Sequence, residues 1–305
     1  MDLRGRLSRA AARWGAAALA LVGALQAHAA VQVFDVGGGV VTLPTPARRV
    51  VSLAPHLTEL MFAIGAGDRV VGTVDYSDFP DAARRVPRVG DSALLDLERI
   101  VALRPDLLLV WQHGNSPQQL ARLAALGVPT YASEARTLAD IARTLRDLGV
   151  LTAHSEQAQQ RANDFDAAVA ALRARYAQRR RVEVFYQIWN QPLITINGEH
   201  LISQVLDLCG AHNVFAAQRL LTPTVSEEAV LLADPDAIVA GWSDSYGEAP
   251  LATWRRLRTL RAVRHGHLLQ VDPDLLHRQS DRVLLGAQQL CTTLDAVRTS
   301  MDAAR

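Results

Sequence analysis

The run from Glu98 to Val110 recurs from Glu228 to Ala240, with Glu98 matching Glu228, Pro105 matching Pro235 and Asp106 matching Asp236. The apolar positions fall together as well. Each copy reads as a short helix opened by an acidic residue, halted by a Pro-Asp turn and followed by a buried apolar strand. A chain that carries this unit twice reads as two similarly built α/β lobes, although a helix, a Pro-Asp turn and a strand recur in any α/β protein. A cleft between two such lobes is a favoured place to hold a small ligand.

The start of the chain points to export. Arg4, Arg6, Arg9 and Arg13 precede the apolar run Trp14 to Leu25, and Ala27-His28-Ala29 places small residues where a signal peptidase cuts. The run is too short for a comfortable membrane span, so residues 1–29 are expected to be a removable signal and the mature chain a periplasmic protein without a membrane anchor. Removing the four arginines and Asp2 takes the formal charge from +1 to −2. A weakly acidic chain gives no electrostatic footprint for nucleic acid. Every basic Lys-or-Arg position is arginine, which reads as genome composition rather than chemistry.

Roughly 275 mature residues suffice for two domains with cores of their own. Cys209 and Cys291 are the two cysteines. In an exported protein an even count is expected to be oxidised, and a bridge between them closes a long loop, contributing roughly 4 kcal/mol in the chain-entropy model. A structural zinc cage is the weaker alternative, because the two thiols lack a C-x-x-C spacing.

Periodicity lays out the elements. A ribbon over Val31–Leu43 precedes a buried strand at Arg49–Pro55 and a helix from His56 to Ile64. Strands are predicted at Val70–Val74, Leu107–Trp111 and Thr130–Ala132, with helices at Leu97–Leu103, Pro117–Leu126 and Leu138–Leu148, the last ended by Gly149. From His154 to Arg179 there is neither Gly nor Pro, and Phe165, Val169, Leu172 and Tyr176 keep helical spacing. That helix would reach roughly 37 Å, long enough to be a rigid spine. Beyond it come a strand at Val182–Gln187, a helix at His200–Leu208, the second repeat copy, a strand at His267–Val271 and a helix at Val283–Met301. The expected fold class is therefore α/β, with two Rossmann-like lobes (30–152 and 181–305) joined by one long α-helix (153–180).

Five segments carry a resemblance that covers nearly all of the mature region: Val51–Leu60, Tyr76–Pro80, Leu97–Leu103, Cys209-Gly210 with Asn213-Val214-Phe215, and Ala287–Cys291. The chain resembles the periplasmic cobalamin-binding proteins that feed vitamin B12 ABC importers, within the wider group whose lobes are joined by a backbone helix. The resemblance implies a monomeric carrier with no cofactor of its own, taking cobalamin or another corrinoid as its passenger. It implies a Cys209–Cys291 disulfide. It also implies that Glu98 and Glu228 dock onto arginines of a permease dimer served by a cytoplasmic ATPase. Two like charges at matched points of two related lobes can meet the same surface on each half of a two-fold partner. An acid in a first helical turn is favoured by the macrodipole in any case, by about 1 kcal/mol at most.

A corrinoid is broad, rather flat and rimmed with amides, so it asks for aromatic faces plus a few polar groups at the edge. Tyr76 matches a cobalamin-contacting tyrosine of the family, and Asp274 and Arg278 match an acid and a base at the rim. An arginine fork can bond several oxygens, with the aspartate holding it; the plainer alternative is a surface i, i+4 ion pair. Two pocket positions that are tryptophan in a well-known relative fall on Ser92 and Thr222. Trp111, Trp189 and Trp242 are the candidates to replace that surface, each at the end of a predicted strand, where open α/β sheets hold ligands.

Two other functional classes compete. Proteins with the same spine also carry bare metal ions, haem or siderophores, and His56, His113, His200 and His277 are conceivable ligands, although their spacing is not diagnostic. Gly90-Asp91-Ser92 with Asp274-x-x-His277 resembles the nucleophile and its partners in one esterase group. There the nucleophile directly follows the first strand, whereas this triplet lies about sixty residues into the mature chain and no Gly-x-Asn-Asp block supplies an oxyanion donor. The sequence therefore favours a binding protein over an enzyme.

Overall fold

The computed structural model describes residues 30–91, 94–242 and 251–303. The export signal expected at 1–29 and the pocket position Ser92 lie outside the described residues. The chain opens with an antiparallel ribbon, β1 (Val31–Phe34) against β2 (Val40–Leu43), with Val31 opposite Leu43. Alternation puts Val33, Val41 and Leu43 inward.

Two four-stranded parallel sheets follow. The first holds β3 (Val50–Ser52), β4 (Val70–Thr73), β5 (Leu107–Trp111) and β6 (Thr130–Ser133) in the order β4-β3-β5-β6. The second holds β7 (Val182–Gln187), β8 (Ala211–Asn213), β9 (Ala237–Gly241) and β10 (Leu268–Val271) in the order β10-β9-β7-β8. Numbered from its own first strand, each sheet runs 2-1-3-4. β5 and β9, the strands of the sequence repeat, hold the third place in both. Their continuous apolar runs follow from burial on two faces.

The repeat extends to atomic detail. Asp96 caps α2 (Leu97–Ala102) by accepting Arg99 N–H, and Ser226 caps α7 (Glu227–Ala233) by accepting Ala229 N–H. Both helices end on a left-handed residue directly before proline, Arg104 at φ 45° and Asp234 at φ 39°. After the proline, the amides of Asp106 and Asp236 donate to the carbonyls of Arg49 and Glu183, and their carboxylates accept the amides of those same residues. The aspartate thus ties each lobe's third strand to its first. That is why the Pro-Asp pair appears twice.

The remaining helices are α1 (Pro55–Ala63), α3 (Pro117–Ala124), α4 (Leu138–Thr152), α5 (Ser155–Tyr176), α6 (Leu201–Leu208), α8 (Arg261–Arg264), α9 (Pro273–Leu276) and α10 (Val283–Ala303). α4 runs through Gly149 and stops at left-handed Ala153, four residues beyond the predicted end. Gly149 serves packing instead: a Cβ there would lie 2.3 Å from the Ala158 Cβ of α5, so glycine is what lets the two helices meet at their corner. α5 starts one residue later and ends three earlier than predicted, because the chain turns at 177–180 to enter β7. At 22 residues it still spans roughly 33 Å.

The long helix buries Ala158, Ala162, Phe165, Val169, Leu172 and Tyr176, and one continuous core runs from α1 and α4 through α5 to α6 and α10. The two lobes are therefore fixed to a shared hydrophobic axis rather than to a flexible linker. The Cys209–Cys291 disulfide ties the end of α6 to α10 inside this core.

Candidate functional site

Loops at the carboxyl ends of the two sheets bond to each other. Gln279, beyond β10, accepts the Ala135 amide at 2.9 Å and donates to Glu134, which follows β6, at 3.2 Å. The strand ends of both lobes therefore face one interlobe groove. In open α/β folds that is where a ligand sits.

The groove is bridged by a charged network centred on Arg278. Its Nη1 lies 2.7 Å from Glu59 on α1 and 2.9 Å from Asp78 beyond β4, and its Nη2 lies 3.0 Å from Asp274. Glu59 also accepts from the Ser280 hydroxyl at 2.5 Å and from Arg282 at 3.1 Å. The Arg282 guanidinium stacks 3.8 Å from the Phe79 ring centre. The predicted Asp274–Arg278 pair is thus present, but inside an interlobe network rather than as an isolated surface pair. Glu59, Asp78, Ser280 and Arg282 were not singled out from the sequence. The available signal was Glu59, an acid inside an apolar helix whose residues 56–61 are all buried. Burial pushes its carboxyl upward, opposed by the Ser280 hydroxyl and the Arg278 and Arg282 charges.

The aromatic candidates differ in setting. Tyr76 stands in the loop after β4 with 76% of its surface exposed and a left-handed backbone, two residues before Asp78. Trp111, at the end of β5, is half-buried, with its indole against Gly114 and the His56 ring edge-to-face, centroids 5.3 Å apart. Trp189, in the turn beyond β7, is 58% exposed, and its Nε1 donates to the Gln191 carbonyl. Trp242 follows β9, half-buried, its amide donating to Val271. Thr222 is exposed in a loop whose Pro223 and Val225 bond to the Thr195 and Leu193 backbone, beside the Trp189 turn. The structure thus joins Asp274 and Arg278 in one bridge, sets Tyr76 two residues from that bridge's Asp78, and puts Trp189 and Thr222 on adjoining loops of the second lobe.

Three of the four candidate histidines are hydrogen-bonded within the protein, while the buried His56 Nε2 has no hydrogen-bond partner among the described residues. His113 Nδ1 lies 3.0 Å from Glu134, His200 Nδ1 accepts the Ile202 amide as a helix cap, and His277 Nε2 lies 3.0 Å from the Tyr186 hydroxyl. Burial, with the nearby Arg278 charge, lowers His56 to about 3. Burial lowers His200 to about 4, partly offset by Glu134, and lowers His277 to about 4 with help from His200. Among the described residues no group of three or more His, Cys, Asp or Glu side chains is arranged to hold a metal ion. Of the Gly90-Asp91-Ser92 motif, Gly90 bridges to Leu95 and Asp91 accepts the Leu94 amide.

Glu98 and Glu228 are both exposed in the first turns of α2 and α7. The neighbouring Glu227 is taken by Arg256. The Ser226 hydroxyl and the Glu228 backbone amide hold the Glu228 carboxyl below its usual range.

Two like lobes on a rigid helix with a bridged groove between them define a solute receptor. Residues 50–275 match the model of the periplasmic binding protein family. The chain is 37% identical over 252 residues to the vitamin B12-binding protein of Vibrio cholerae, covering 82% of this chain and 90% of that one. It is 39% identical over 259 residues to the vitamin B12-binding protein of Yersinia pestis, covering 85% and 90%. The crystal structure of the periplasmic vitamin B12-binding protein BtuF of Vibrio cholerae superposes with a TM-score of 0.76 at 36% identity, covering 83% of this chain and 98% of that one. The chain belongs to the periplasmic binding protein family.

Proposed function

We propose that the chain captures cobalamin or a closely related corrinoid in the interlobe groove and presents it to the permease dimer of an ABC importer. The supporting observation is the interlobe bridge, in which the Asp274–Arg278 pair meets Asp78 two residues from Tyr76, together with 37–39% identity to relatives named for vitamin B12 binding. Tyr76 and Trp189 offer exposed aromatic faces, Trp111, Trp242 and Thr222 extend the lining, and Asp274 and Arg278 meet the amide rim. The lobes 30–152 and 181–305 act as jaws on a shared spine, so closure on ligand is small and release depends on the membrane partner. Residues 1–29 direct the chain to the periplasm and are cut away. No step makes or breaks a covalent bond.

The test is to purify the mature chain from an oxidising compartment, add cyanocobalamin, remove the excess and record the visible spectrum. Retained corrinoid absorbance at one equivalent supports the reading. Absence of retention, with zinc or haem held instead, overturns it.

A further inference from the structure

Tyr76 presents a mismatch between conformation and side chain. Its φ of 63° belongs to the left-handed region that glycine or asparagine adopts at little cost and a bulky aromatic residue does not. The other non-glycine residues with positive φ, Arg104, Ala153 and Asp234, each close the end of a helix. Tyr76 closes none. Nor does its ring repay the backbone by packing, since 76% of the residue is exposed.

The surroundings fix this unfavourable geometry from below. Ser77 N–H closes the turn onto the Val74 carbonyl at 3.3 Å, and Asp75 N–H donates to Gly90 at 2.9 Å. Arg88 grips both sides of Tyr76, donating to the Val74 carbonyl at 3.1 Å and the Ser77 carbonyl at 2.9 Å. Beneath lies a fully buried hydroxyl cluster in which Thr73 donates to Ser77 at 2.8 Å and Thr58 lies 2.7 Å from Thr73 and 2.9 Å from Ser52. Four buried hydroxyls satisfying one another make a rigid platform, because each would be costly to leave unpaired. Strain held by an over-determined surrounding is the mark of a pre-organised contact.

Resting on the corrinoid reading above, we propose that the Val74–Ser77 turn is a positioning device that stores backbone strain at Tyr76 to present its ring, already ordered, to the ligand, with Arg88 and the Thr73–Ser77 hydroxyl pair as its positioning residues.

The experiment measures cyanocobalamin affinity and thermal midpoint for the mature wild type, Tyr76→Gly, Arg88→Ala and the double variant. Tyr76→Gly is expected to raise the midpoint by about 2 °C, since relief of a left-handed side chain outweighs the added chain freedom, while weakening affinity about tenfold. Arg88→Ala is expected to weaken affinity about fivefold in wild type and by less than twofold in the Tyr76→Gly background, because it acts through the ring. A residue that merely supports the fold would weaken both backgrounds equally. A lowered midpoint in Tyr76→Gly, or equal Arg88→Ala effects in both backgrounds, overturns the proposal. Wild type that fails to hold cyanocobalamin overturns the corrinoid reading instead, and the midpoint of Tyr76→Gly then still decides whether strain is stored there.

Discussion

Arg278 places Nη1 2.7 Å from the carboxylate of Glu59 across the interlobe groove, joining residues 219 positions apart in the chain. Glu59 is almost wholly buried, and Arg278 and Arg282 both point at it. A charge so placed is tolerated only while its partners remain, because without the two guanidiniums it would sit unpaired in a medium of low polarity. The bridge thus ties α1 of the first lobe to the segment beyond α9 in the second.

Glu59→Gln keeps the shape and can still accept from Ser280, but it removes the charge facing two guanidiniums. It is expected to destabilise the protein by about 3 kcal/mol, read as a lower midpoint in urea. Arg278 keeps Asp78 and Asp274, so the fold should survive. An unchanged midpoint would show that the bridge contributes nothing to stability.

The buried histidines set an acid limit. His56, His200 and His277 sit at about 3, 4 and 4 in the folded protein, below the 6.5 of an exposed imidazole. Between pH 6.5 and 4 the unfolded chain therefore binds protons that the native state does not, so stability falls as pH drops through that window. Each group contributes up to roughly 1.4 kcal/mol per pH unit. Melting temperature should decline steadily from pH 7 to 5, and His56→Phe should flatten the decline. A curve that stays level over that range would contradict the burial assigned to these rings.

Much of this was legible in the sequence, for physical reasons that differ by element. The repeat revealed both lobes because a Pro-Asp turn joining strand three to strand one is a local device with a local signature. The spine was legible because 22 residues without a breaker can hardly be anything else. β8 was not, since Ala211-His212-Asn213 is too short for periodicity to register. Gly149 misled, because a glycine that admits a neighbouring helix looks the same in sequence as one that ends its own. At the groove, Tyr76, Asp274 and Arg278 came from resemblance, whereas Glu59 took its role only when α1 was brought against a loop more than two hundred residues downstream.

Gly149 gives a sharp test of the α4–α5 corner. Ala at this position would bring a methyl to within 2.3 Å of the Ala158 Cβ and 3.2 Å of the His154 carbonyl, both on the next helix or its entry. Backbone must shift to make room, costing about 2 kcal/mol by thermal unfolding. Pairing it with Ala158→Gly should restore most of that loss, and no restoration would place the clash elsewhere.

The disulfide closes a loop of 82 residues between two fully buried positions. In the chain-entropy model its loss removes about 4.5 kcal/mol by freeing the unfolded state. Cys209→Ala with Cys291→Ala should therefore lower the urea midpoint sharply while leaving corrinoid capture intact in what stays folded. The disulfide lies in the shared core, so a selective loss of capture would contradict its structural role.

Docking makes the last prediction. Glu98 and Glu228 hold matched places in two lobes of identical strand order, so a partner with two-fold symmetry can meet both at once. Arg256 neutralises Glu227, which leaves Glu228 as the outward acid of its helix. Exposed ion pairs are individually worth at most about 1 kcal/mol, so Glu98→Ala or Glu228→Ala alone should slow corrinoid uptake only severalfold. The double variant should lose roughly the product of the two effects, because the sites sit on different lobes and share no partner among the described residues. Added salt should weaken docking of the wild type more than that of the double variant, since screening acts on the charges that the variant lacks. Cyanocobalamin affinity should not move in any of these chains. If uptake through a reconstituted importer proceeds at the wild-type rate in the double variant, the two glutamates are only favourable residues for helix starts and the permease reads some other surface.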